Sequence, residues 1–162
     1  VITLRPVACA ALAVLALPGL AACAPEAEAP AAETAAAASG LSVSNARLVL
    51  PPVAGNPAAV YFDLSYTGVA GITLEKVTVD GAGMTMIHDY AETAGKMEMT
   101  MAEPITLAEG TPVSFAPGGL HVMAMEPSDT LRAGGTAKVT LTLSDGSTTT
   151  VDAPVRAAGD ER

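Results

Sequence analysis

Aromatic side chains are nearly missing from this chain of 162 residues, which has no Trp, two Phe and three Tyr. No row of exposed rings is available on which nucleic-acid bases could stack. Basic residues are scarce as well: eight Lys and Arg stand against seventeen Asp and Glu, for a formal charge of −9. With no basic cluster, the electrostatic footprint of DNA or RNA binding is missing. An acidic balance of this size serves solubility, and it would also favour docking to a basic partner. Both cysteines, Cys9 and Cys23, lie in the first 23 residues. The rest of the chain therefore holds no intramolecular disulfide, thiolate zinc site or Cys nucleophile. The longest apolar run, Val7 to Leu17, is short for a membrane span of about 20 residues. With two His in all, no Ser-His-Asp order is evident. No Gly-rich phosphate loop follows a strand, and the carboxylates are scattered, so no enzyme is expected.

What is present divides the chain into segments. Arg5, the apolar run and Leu20-Ala21-Ala22-Cys23 have the layout of a leader peptide over 1–22. They end in a sequence that resembles the bacterial lipobox, which makes Cys23 the expected lipidation site and a membrane anchor. Residues 23–40 are then an anchor Cys followed by an Ala, Pro and Glu tether with nothing bulky to bury. The run Ala35–Ala38 has the composition of a helical turn. From Leu41 the pattern changes to short alternating runs separated by Gly, Pro, Asn and Asp, the signature of an all-β sandwich or barrel. Strands are expected over Leu41–Leu50, Ala58–Tyr66, Ile72–Val79, Gly83–His88, Lys96–Met101, Thr111–Phe115, His121–Met125, Thr136–Leu143 and Thr148–Val155. The last two are joined by a hairpin at Asp145-Gly146. With so few aromatics, the core of this 41–156 domain falls to Val, Leu, Ile and Met. A short polar tail, 157–162, closes the chain.

All seven Met and both His lie between Met84 and Met125. They alternate as Met84, Met86, His88, then Met97, Met99, Met101, then His121, Met123, Met125, and period two puts each trio on one face of its strand. Methionine taken singly is an unbranched filler for irregular cores, and that reading stands open for Met84, Met86, Met97, Met101 and Met125. His121-Val122-Met123 points elsewhere, because residues two apart on a strand lean to the same side, about 6.6 Å apart. The spacing permits a bidentate clip. Thioether and imidazole without thiolate or carboxylate suit a soft ion, and Cu(I) is the natural guest. A blue-copper electron-transfer site is excluded, since it needs a Cys thiolate. Glu98 alternates with Met97 and Met99 and should face away from them.

The intervals themselves are specific: ten residues separate His88 from Met99, and twenty-one separate Met99 from His121-Val122-Met123. This H-x10-M-x21-H-x-M pattern resembles the signature of the PCuAC family of periplasmic copper chaperones. Asn45-Ala46-Arg47, Gly55-Asn56-Pro57-Ala58-Ala59-Val60-Tyr61 and Pro117-Gly118-Gly119-Leu120 agree with the same family. The resemblance covers Leu41 to Val155 and implies a cupredoxin-like Greek-key β-barrel. It implies Cu(I) held by His88, Met99, His121 and Met123, and a monomer that delivers copper to cytochrome c oxidase subunit II together with Sco-type copper proteins. Copper buffering or resistance with no oxidase client needs the same site and is the alternative. A metal-free adhesion or assembly module is a third reading. His88 precedes the loop expected at Asp89–Gly95 and His121 follows Pro117-Gly118-Gly119. Both ligands are therefore expected at strand ends, in a shallow site at a barrel rim shielded by Met84, Met86 or Met125. The tail holds neither His nor Met, so a second copper there is not expected. The Cys23 anchor would keep the protein on a membrane surface outside the cytoplasm.

Overall fold

Alternating small and branched apolar residues build the strands, and positive-φ glycines such as Gly146 (φ 81°) turn the chain between them. The computed structural model describes residues 35–36 and 40–160. The leader, Cys23 and all of the tether but Ala35, Ala36 and Gly40 lie outside the described residues. Eleven strands are present: β1 (Ala35–Ala36), β2 (Leu41–Val49), β3 (Ala58–Tyr66), β4 (Thr73–Val79), β5 (Met84–Thr93), β6 (Lys96–Met101), β7 (Ile105–Thr106), β8 (Val113–Phe115), β9 (His121–Met125), β10 (Thr136–Leu143) and β11 (Thr148–Arg156). No helix among the described residues is long and apolar enough to cross a membrane.

Hydrogen-bonded neighbours run β6-β5-β9-β3-β2-β11-β10-β4-β7, with β1 on β2 and β8 on β3. Every pairing is antiparallel except β11 with β2, where Val155 and Arg156 lie beside Leu48 and Val49. That parallel contact joins two halves, and the Thr85 hydroxyl of β5 donates to the Val77 carbonyl of β4 across them. The result is an all-β, cupredoxin-like sandwich. Ala35 and Ala36 do not form the expected helical turn; they pair with Val43 and Ser42 of β2.

The core is Val, Leu, Ala, Tyr66 and the two Phe. Phe62 and Phe115 are fully buried and stack at 4.2 Å between ring centres, and Val60, Leu64, Val122, Val139 and Leu141 close around them. Methionine takes no part among the described buried residues. The expectation that Met fills the core is therefore corrected. The inward positions of β5 and β9 belong to Thr85, Ile87, Val122 and Ala124, which pair across the two strands and leave Met to the outer face.

Asn45 takes φ 54° where the β2–β3 register shifts between Ser44 and Arg47, a bulge that an Asn tolerates in the left-handed region. Its amide donates to Asp63 (2.8 Å), the Ser114 hydroxyl donates to the same carboxylate (2.6 Å), and the Arg47 guanidinium lies over the Tyr61 ring. Those bonds, from Ser114 first and then Asn45, hold the Asp63 carboxyl below its ordinary value, with Arg47 adding to the effect. A depressed carboxyl contributes stability above its unfolded pKa of about 3.9, and that stability is lost as pH falls through the folded value. Asp63→Asn is accordingly expected to lose stability at neutral pH and to flatten the part of the acid profile below pH ~4. Urea midpoints measured across pH check this.

Candidate metal centre

The candidate site is made by register. In the β5–β9 ladder Met84 lies opposite Met125, Met86 opposite Met123, and His88 opposite His121. In β5–β6, His88 lies opposite Met101, Tyr90 opposite Met99, and Glu92 opposite Met97. Directly paired residues share a face, so all seven Met and both His stand on one outward face of three adjacent strands. No Leu, Val or Ile occupies any of these positions. Glu98 pairs with Ala91 on the other face, as its alternation requires.

The two imidazoles come together across the strands, with ring centres 5.9 Å apart and planes at 82°. Metal–nitrogen bonds of about 2 Å would allow ring centres roughly 6 Å apart around one ion. His121 is buried at 4% exposure; its Nδ1 donates to the Gly119 carbonyl at 2.8 Å, which leaves Nε2 as the lone-pair donor. The Tyr90 ring stacks on it at 5.6 Å between centres, the planes inclined by 27°, and holds the imidazole from one side. His88 Nδ1 is buried with no hydrogen-bond partner, a cost a protein carries where another ligand satisfies the atom. Desolvation first, and then the neighbouring His121, push the His88 pKa below its ordinary value. That keeps its imidazole neutral, the form that ligates metal.

Met123 follows His121 by two residues on β9 and is half-buried. Met99 sits one diagonal step from His88, and it is the least exposed β6 methionine, at 43% against 62% for Met97 and Met101. Diagonal neighbours lie about 7–8 Å apart, within reach of long side chains. The four residues of the interval pattern are thus gathered on one face, where sequence reasoning had placed two of them at strand ends. His121 does open β9, directly after the Pro117–Gly119 turn. His88 does not end its strand: β5 continues through Asp89, Tyr90, Ala91 and Glu92 to Thr93, and the turn is at Ala94-Gly95. The site lies on a sheet face rather than a rim. Two neighbours were not assigned to the site from the sequence, Tyr90 on His121 and Met101 across from His88. Period-two counting from His88 finds Tyr90, but only the register finds Met101. Among the described residues no three His, Cys, Asp or Glu side chains gather as a metal cluster; the four residues of the interval pattern offer imidazole and thioether.

The family model "Putative lipoprotein LpqE-like" matches residues 41–155, the whole sandwich including this face. The chain belongs to the LpqE-like family. Among its relatives is the protein named Putative lipoprotein Lxx21020 of Leifsonia xyli subsp. xyli, 30% identical over 86% of this chain and 84% of that one. This LpqE-like chain also has the fold of PCuAC domains. The apo form of DR1885 from Deinococcus radiodurans matches with a TM-score of 0.56 and 27% identity, over 91% of this chain and all of that one. The Cu(I) form of DR1885 matches at 0.58 and 26%, over 72% and 78%. A copper-bound PCuAC domain from PmoF2 matches at 0.58 and 24%, over 73% and 93%.

Proposed function

We propose that this chain is an extracytoplasmic Cu(I) chaperone that holds one copper between His88, Met99, His121 and Met123. The observation that carries the reading is the cross-strand pair His88–His121 on the face that also carries all seven methionines. Neutral, soft donors favour Cu(I) over zinc, magnesium or calcium. They keep one oxidation state rather than cycling it, which speaks for transport and against catalysis. DR1885, whose solution structure is of the Cu(I) form, supports the same ion. The lipoprotein naming of the family and of the Leifsonia relative supports lipidation at Cys23 and a membrane anchor, with residues 23–40 as its tether; the chain is read as a monomer.

Release follows from the position of the site. Thioethers on an outer face are open to ligand exchange, one partner donor replacing one Met at a time. The acceptor in this reading is the copper site of cytochrome c oxidase subunit II, with Sco-type proteins working beside it. Anaerobic Cu(I) competition against a chromophoric chelator tests the site: the parent should take one tight equivalent, and Met99→Leu with Met123→Leu should weaken it by roughly tenfold or more. No competition by the parent would overturn the reading. Transfer is tested separately, by mixing the Cu(I)-loaded protein with the soluble domain of subunit II. Copper recovered with the subunit II domain after the two proteins are separated supports delivery, and retention of all copper by the donor supports buffering or resistance instead.

A further inference from the structure

Five methionines of the outward face are left over once the four-residue site is drawn, and three of them stand together at one end of the β5–β9 ladder. We propose that Met84, Met86 and Met125 form a second soft-metal seat, a three-thioether site for a monovalent ion of the Cu(I) type, next to the histidine site. This deepens the copper reading and rests on it.

Met84 and Met125 are direct cross-strand partners, and Met86 is two residues along from Met84, opposite Met123. Directly opposed Cβ atoms on an antiparallel pair stand about 4.5–5.5 Å apart, and residues two apart on one strand about 6.6 Å. Three side chains with three rotatable bonds each, rooted at corners of so small a rectangle, can bring their sulfurs over one point above the sheet. Met84 is 56% exposed, while Met86 and Met125 are half-buried, so the point is open to solvent on one side and walled on the other.

The choice of residue argues for sulfur chemistry rather than apolar contact. Leu, Val and Ile supply the same apolar area with less conformational freedom to lose. Ile87 and Val122 stand on the buried side of these strands, but no Leu, Val or Ile takes an outward position in the three trios, and Met occurs nowhere else in the chain. Because the seat borders Met123, which belongs to the histidine site, copper can pass from one to the other by exchanging a single thioether. The seat lacks imidazole and so holds its ion more weakly than its neighbour.

The test uses the whole protein carrying methyl-13C methionine, titrated anaerobically with Cu(I) and followed by NMR. The first equivalent should move the Met99 and Met123 methyl signals. A second should move Met84, Met86 and Met125, and Met84→Leu with Met125→Leu should abolish the second equivalent while the first is retained. These swaps conserve volume at outward positions, and unchanged backbone shifts in the variant verify the fold. Saturation after one equivalent, with Met84, Met86 and Met125 unmoved, would overturn the second seat and leave the first site standing. It would give these methionines to an apolar contact surface. No methyl movement at either equivalent would overturn both.

Discussion

His121→Ala is expected to raise the Cu(I) dissociation constant by about 100-fold or more, since groups acting only behind a ligand already account for about 10–100-fold. His121 combines three roles that its neighbours do not share. It is the most buried of the four residues, its Nδ1 is fixed on Gly119 so that Nε2 is the free donor, and Tyr90 stacks on its ring. Removing it takes away a donor and the orientation of the site together. The fold should survive, because the lost Gly119 hydrogen bond costs about 1 kcal/mol and the loop carbonyl is left beside solvent-exposed Pro117 and Gly118. Chelator competition gives the affinity, and urea unfolding of the metal-free variant separates a lost ligand from a lost fold. An unfolded variant would move the residue from ligation to structure.

Phe62→Ala carries the largest expected cost in stability, about 3–5 kcal/mol from a domain whose whole stability is of the order of 5–15 kcal/mol. Aromatic volume is so scarce in this chain that nothing else replaces it. Phe62 is fully buried, stacks on Phe115 at 4.2 Å and pairs with it in the β3–β8 ladder. The same strand carries Ala58, Ala59 and Val60, which pair with β9 from Ala124 back to Val122. Loss of the ring therefore loosens the strand that positions Met123 and His121. The urea midpoint should fall steeply with little change in slope, and Phe62→Leu should recover part of it. A midpoint within the parent's error would show that the stacked pair is not the centre of the core.

Much of this fold was legible because period two and turn chemistry agree. Ala58–Tyr66, Lys96–Met101, His121–Met125 and Thr136–Leu143 have the bounds the sequence reading expected. The extension of β5 was hidden by Asp89 and Glu92, whose polarity reads as loop, whereas a solvent-facing hairpin accepts charge freely. β7 has two residues and no period of its own, and the parallel β2–β11 pairing depends on contacts that no local pattern encodes. At the site, the three trios were visible residue by residue. That they share one face depends on register, as does the pairing of His88 with His121. The outward direction of that face had a signal in the alternate positions: Thr85, Ile87, Val122 and Ala124 already formed the set fit for burial. In β6 the alternates Glu98 and Thr100 are both polar, which marks a strand exposed on two sides. The resemblance in intervals named the four candidate ligands, and the structure adds the Gly119 anchor and the Tyr90 stack.

X-ray absorption at the copper edge, on the protein loaded anaerobically with one equivalent of Cu(I), tests the central claim most directly. The proposed ligands His88, His121, Met99 and Met123 predict a cuprous edge and a first shell of two nitrogen and two sulfur scatterers, with imidazole multiple scattering that is lost in part in His121→Ala. A shell of nitrogen and oxygen alone, unchanged by replacing Met99 and Met123 with Leu, would contradict it.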